Sequence, residues 1–144
     1  MKIVEVFSEG GKINDNDSLA RAEKVHLQLR PHLLNDYIAK MTRVLAEARM
    51  ALAVEGDEVH GLAVYRWHEN TSDGIKFYID DLVTDDAHRS EGVGHALIVH
   101  LEKAARKIGA SGLMLDSGTQ RSQAHKFYFR EGFVIPCFNF KKSF

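Results

Sequence analysis

The residues with the clearest capacity for chemistry form one short run, Arg89-Ser90-Glu91-Gly92-Val93-Gly94-His95. Glycine carries no Cβ, so backbone built with Gly92 and Gly94 lets a ligand approach closely. An apolar-periodic stretch follows. The first turn of a helix there would offer N–H groups with no intrahelical acceptor, at the positive end of its dipole. Arg89 adds a guanidinium suited to phosphate oxygens. Together these features make a phosphate site. The run is neither a Walker loop, since no Lys-Ser/Thr follows Gly94, nor a dinucleotide fingerprint, since the third glycine is missing. From these residues alone, a plain strand-to-helix loop reads equally well.

Just upstream stands Ile79-Asp80-Asp81-Leu82-Val83-Thr84. Neighbours on a strand point to opposite faces, so one of the two acids is expected to face a cleft. Eight histidines, at 26, 32, 60, 68, 88, 95, 100 and 125, contain no His-x-x-x-His pair, and there is no cysteine cluster. No metal is expected from that spacing. His32 lies in the Arg30-Pro31-His32 turn, and Cys137, beside Pro136, reads as a packing residue.

The elements that must position these groups follow from periodicity. Lys2–Phe7 alternates as a first strand. Asn16-Asp17-Ser18 supplies N-caps for a helix to about Leu29, which Arg30-Pro31 ends. A second helix is expected over Leu34–Ala48, with Leu34, Ile38, Met41, Leu45 and Ala48 on one stripe. Met50–Glu55 and Val59–His68 flank the Gly56-Asp57 turn as a hairpin. Lys76–Thr84 is the next strand. A long helix over Val93–Ile108 ends at Gly109. Leu113–Asp116 reads as a short strand, Ser122–Arg130 as a short helix and Phe133–Phe144 as a closing strand with an irregularity at Pro136. The order is β-α-α-β-β-β-α-β-α-β. It predicts an α+β (mixed α/β) fold with a mixed central sheet and helices on both faces, in a single domain spanning 1–144.

The chain has 144 residues, 20 Asp+Glu and 19 Lys+Arg. At that size roughly two-thirds of the unfolded surface can be buried in one core. The balanced charge argues against a nucleic-acid binder. No apolar run approaches the about 20 residues that span a bilayer, so no membrane segment is expected. A single cysteine excludes an intrachain disulfide and favours the cytoplasm. The near-neutrality conceals a split. Residues 73–91 hold six acids and two bases, a local charge of −4, whereas residues 103–142 hold eight bases and two acids, a local +6.

The acidic stretch 79–84 followed by Arg89-x-x-Gly92-x-Gly94 resembles the acetyl-CoA-binding motif of the GNAT superfamily of N-acetyltransferases. Ala124-x-x-Phe127-Tyr128-x-x-x-Gly132-Phe133 resembles a second block of the same family. The order of elements agrees, so the resemblance covers nearly the whole chain. Asp86 stands where the family often has Pro, and Arg121 where it often has Asn. Within the superfamily, Ser122–Phe133 and the Phe-x-Phe-x-Lys ending are similar to the aminoalkylphosphonate N-acetyltransferases.

The resemblance implies transfer of an acetyl group from acetyl-CoA to a primary amine by direct attack. Because an alkylamine has a pKa near 10.4, it arrives protonated. Asp81, with Asp80 less favoured, would attract it and take its proton, directly or through water. Backbone N–H groups near Leu82 and Val83 would stabilise the oxyanion, which requires a bulge or splayed edge, and would pair with the pantetheine arm. Tyr128 would protonate the leaving thiolate. Thr84, Arg89, Ser90, Glu91, Gly92, Val93, Gly94, His95, Arg121, Ala124 and Phe127 complete the implied cofactor contacts. Beside the phosphate, the backbone of Glu91 would serve while its carboxylate points to water. The implied acceptor is a small-molecule amine, with no nucleic-acid or membrane partner and no metal. A homodimer through the C-terminal strand is one arrangement the resemblance implies. Alternatives are a protein lysine or N-terminal acetyltransferase, a non-catalytic acyl-CoA-binding regulatory domain and a nucleotide-binding module.

Overall fold

The computed structural model describes all 144 residues, in two compact units, Met1–Met114 and Leu115–Phe144. In the first unit the elements are β1 (Lys2–Val6), β2 (Ser8–Glu9), β3 (Lys12–Ile13), α1 (Asn16–Leu29), α2 (Tyr37–Val44), β4 (Arg49–Glu55), β5 (Glu58–Asn70), β6 (Gly74–Thr84), α3 (Val93–Lys107) and β7 (Leu113–Leu115), whose last residue opens the second unit. The sheet order is β1-β4-β5-β6-β7, and β1 through β6 pair antiparallel. The crossover helix α3 leads into β7 at the far edge and makes the sheet mixed.

The N-cap of helix α1 lies one residue before the expected caps. The cap is Asp15, whose carboxylate accepts from Ser18 N at 2.9 Å and from Ser18 Oγ at 2.6 Å. Leu19, Ala22, Val25 and His26 form its buried face. Helix α2 is shorter than its apolar stripe suggested. Pro31–Leu34 forms a 3-10 helix instead, and Asp36 turns the chain in the left-handed region at φ 58°. These helices cover one face of the sheet, where Met50, Leu52 and Val54 of β4 meet Leu62 and Val64 of β5 in one core.

The other face carries small residues. Ala51 is paired with Ala63 and Ala53 with Gly61. Helix α3 lies there with Val93, Leu97, Ile98, Leu101 and Ala105 buried. Its approach at Gly61 is so close that a Cβ would sit 2.6 Å from Val93 Cγ1 and 2.9 Å from Val83 O. A strip of Ala and Gly is thus what allows α3 to start over the ends of β5 and β6.

The second unit holds α4 (Ser122–Arg130) and a tail without strand pairing. The closing strand expected over Phe133–Phe144 does not form. Pro136 offers no N–H to a ladder, and Phe138, Phe140 and Phe144 are exposed.

Candidate active site

Strand β6 is irregular where its acids lie. Val64 is opposite Asp81, but Tyr65 is opposite Ile79, so Asp80 is an extra residue in the ladder. Such a bulge breaks the two-residue alternation. Asp80 and Asp81 consequently both line one cavity of about 180 Å³, rather than one acid facing a cleft and the other facing away.

The two carboxylates are held differently. Asp81 accepts from His26 Nε2 at 2.7 Å and from Arg30 Nε and Nη2 at 2.9 and 2.6 Å. Burial pushes its pKa up, but the His26 and Arg30 hydrogen bonds outweigh that and hold it below the usual carboxylate value. His26 Nδ1 meets Tyr37 Oη at 2.9 Å. Burial, with the charges of Glu23 and Asp81, raises the Tyr37 phenol well above its ordinary value, so Tyr37 keeps its proton. His26 thus bridges Tyr37 through Nδ1 and Asp81 through Nε2. Asp80 is paired with Arg66, whose Nε and Nη2 lie 2.8 and 2.5 Å from Oδ2.

Arg30, Lys40 and Arg66 set three fixed positive charges around this cavity against two negative ones. Lys40 has no ion pair, so the lining carries an unspent cation. His32 lines it as well, and Leu33, Met41, Val44 and Val64 make its apolar floor. His26, Arg30, Tyr37, Lys40 and Arg66 were not singled out from sequence. The spacing of four between His26, on α1, and Arg30, at its C-cap, was the available signal.

The glycine turn is built as expected, with added support. Gly92 stands at the N-cap of α3 with φ 81°, and no side chain caps that first turn. Ser90 is also left-handed, at φ 65°, a conformation that costs about 1 kcal/mol or more in a non-glycine residue. The run before it is anchored twice. Asp85 N donates to His60 O at 2.8 Å, and the Asp85 carboxylate accepts from Ala87 N and Gln28 Nε2, both at 3.1 Å. Asp86 N donates to Gln28 Oε1 at 2.9 Å. Arg89 is largely exposed and is paired with Asp86. The Glu91 carboxylate does not point simply to water. It meets His88 Nδ1 at 3.0 Å.

Leu82, Val83 and Thr84 finish β6 and pair with Ala63, Leu62 and Gly61 on its inner edge. β7 has three residues against eleven in β6, so most of the outer edge of β6 has no strand beside it. That leaves main-chain donors and acceptors for an extended ligand.

Within the second unit, Tyr128 is half-buried on α4, with ring contacts at 5.5 Å to Phe127 and 5.6 Å to Phe133. Burial raises its pKa and the Arg121 charge opposes the rise, so the phenol stays protonated at neutral pH. Arg121 stands at the N-cap of α4, and Ala124 lies in its first turn.

Residues 16–133 match the model of the Acetyltransferase (GNAT) family. The chain is 30% identical over 135 residues to the uncharacterized N-acetyltransferase YhdJ of Bacillus subtilis (strain 168), covering 91% of this chain and 95% of that protein. It is 35% identical over 65 residues to the aminoalkylphosphonate N-acetyltransferase of Salmonella typhimurium, covering 45% of this chain and 42% of that one. Among solved structures, an aminoglycoside N-acetyltransferase AAC(6')-Iy in complex with CoA superposes with a TM-score of 0.76 at 14% identity, over 99% of this chain and 98% of that one.

Proposed function

The chain belongs to the GNAT acetyltransferase family and is an N-acetyltransferase, and from that premise we propose that it acetylates the primary amine of a small molecule that also carries an anionic group. The observation that carries this reading is the cavity beside the bulged strand. Two carboxylates there can draw in an ammonium, while Arg30, Arg66 and the unpaired Lys40 leave a net positive charge for an anion on the same molecule. An aminoalkylphosphonate has this combination, and the partial match to the enzyme of that name supports testing one first.

In this reading acetyl-CoA is a co-substrate. Its phosphates meet Arg89 and the turn from Ser90 to His95. Its pantetheine arm pairs with the outer edge of β6 at Leu82, Val83 and Thr84; Arg121, Ala124 and Phe127 are further cofactor contacts that the family resemblance implies. Asp80 and Asp81 hold the acceptor's ammonium. The lowered pKa of Asp81 makes it a poor acceptor for the proton of an amine of pKa about 10.4. The ammonium therefore gives up its proton to bulk solvent before attack, and the carboxylates act chiefly by attraction and orientation. The neutral nitrogen attacks the thioester carbonyl, main-chain N–H groups near Leu82 and Val83 stabilise the oxyanion, and the C–S bond breaks as the nitrogen releases its second proton to solvent. Tyr128 gives its proton to the thiolate and regains one from solvent.

We also place the protein in the cytoplasm, on its single cysteine, and as a homodimer through the segment 134–144, on its exposed apolar side chains. Balanced charge supports the absence of a nucleic-acid partner. The test is thiol release from acetyl-CoA with three groups of acceptors: small amines bearing an anion, small amines without one, and peptides. Turnover led by the first group is the expected result.

A further inference from the structure

The fold assembles a second group of reactive side chains that acetyl transfer does not use. Glu58 and His60 begin β5, and His88 ends the 3-10 helix Asp86–His88 ahead of the glycine turn. One ligand-capable atom from each lies within 4.8 Å of the others. Both histidines aim at the same oxygen. Glu58 Oε2 is 3.7 Å from His60 Nε2 and 4.0 Å from His88 Nε2. The two rings lie face to face, 3.5 Å between centroids and 10° from parallel. Behind them, His88 Nδ1 meets Glu91 Oε2 at 3.0 Å.

We propose that Glu58, His60 and His88 bind one borderline divalent cation, of which Zn²⁺ is the best fit, with Glu91 orienting His88 from behind. Two imidazoles and one carboxylate are a ligand set that zinc accepts, with a fourth position left to solvent. Imidazole donors disfavour Mg²⁺ and Ca²⁺, which take oxygen. Tetrahedral bonds of about 2.1 Å place ligand atoms about 3.4 Å apart, so the observed separations from Glu58 close by a few tenths of an ångström while the two rings splay from their stack. A carboxylate on Nδ1 of a ligating histidine fixes the tautomer that leaves Nε2 free to coordinate. Here Glu91 does this for His88. Glu58 is 77% exposed and gives the ion a route in, whereas His60 and His88 are 13% and 24% exposed.

The frame is fixed without the ion, because His60 O already accepts from Asp85 N at 2.8 Å. The ion adds a second link between the start of β5 and the loop 85–91. It puts a positive charge beside the turn that contains Arg89 and Gly92. The site itself does not depend on the acetyl-transfer reading and is tested without acetyl-CoA.

The experiment is calorimetric titration of the untagged full chain with ZnCl₂ and, in parallel, MgCl₂, together with amide exchange of residues 86–91. The expected result is one Zn²⁺ per chain at micromolar affinity or better, no response to Mg²⁺, and slower exchange in the loop. Glu58→Gln, an exposed and structurally mild change, and His88→Ala should each weaken binding by at least about tenfold, and Glu91→Gln by about tenfold. His68→Ala and Cys137→Ser, at exposed positions elsewhere, should leave it unchanged. No stoichiometric zinc binding, or binding that survives His60→Ala with His88→Ala, overturns the site. Binding that leaves loop exchange unaltered overturns the link to the loop.

Discussion

Asp81 is a carboxylate clamped by His26 and Arg30 in the wall of the cavity beside β6, and its chemistry is set by that clamp. Its folded pKa lies below its unfolded value of about 3.9. The stability it contributes is therefore present above about pH 4 and is lost as pH falls through the folded value. Asp81→Asn should destabilise the protein at pH 7 by about 2 kcal/mol. Breaking a buried pair costs about 3–5 kcal/mol, and here the cost is reduced because Arg30 is 41% exposed. Urea unfolding from pH 7 down to pH 2.5 should show the gap between wild type and variant narrowing below about pH 4. A gap independent of pH would refute the clamp. For Tyr128, the phenylalanine variant keeps the ring contacts with Phe127 and Phe133 and loses only the donor. Turnover should fall about 10- to 100-fold, with acetyl-CoA affinity within about twofold by calorimetry. Unchanged turnover would remove Tyr128 from the reaction. Asp80 and Asp81 stand out in the sequence because they sit just before a glycine turn. Their partners do not, because His26, Arg30 and Arg66 come from α1 and β5, and only tertiary pairing brings them near.

At the scale of elements, the bulge in β6 and the closeness of α3 to β5 do the positioning. The bulge inserts Asp80 and turns two successive acids toward one cavity. Strict alternation, the rule available from sequence, predicts otherwise. Gly61 controls where α3 begins, since any side chain there meets Val93 and the carbonyl of Val83. Gly61→Ala should cost about 1–3 kcal/mol in denaturant unfolding. It should also weaken acetyl-CoA binding, because α3 carries the glycine turn at its start. A stable variant with unaltered acetyl-CoA affinity would show that α3 can move without consequence. The strands and long helices were legible because their apolar periods are clear. The 3-10 helix at Pro31, the short hairpin β2–β3 and the unpaired tail were not, because their conformations depend on local backbone geometry and on missing partners rather than on pattern.

For the molecule as a whole, the charge split of the sequence acquires a different meaning. The stretch 73–91 is acidic in sum, yet Asp85 and Asp73 are occupied in local hydrogen bonds, Asp86 is paired with Arg89, and Glu91 meets His88. Asp80 and Asp81 alone reach the cavity beside β6, where Arg30, Lys40 and Arg66 outnumber them. The cavity is thus suited to a zwitterion rather than to a bare cation. The most direct test of this reading is thiol release from acetyl-CoA with amines matched in size, with and without an anionic group, and with peptides, the product being identified by mass. Stoichiometric release and an N-acetylated product, with kcat/KM at least about tenfold higher for the anion-bearing amine, is the predicted result. A chain that binds acetyl-CoA but releases no thiol above hydrolysis with any amine, or that turns over peptides alone, would contradict it.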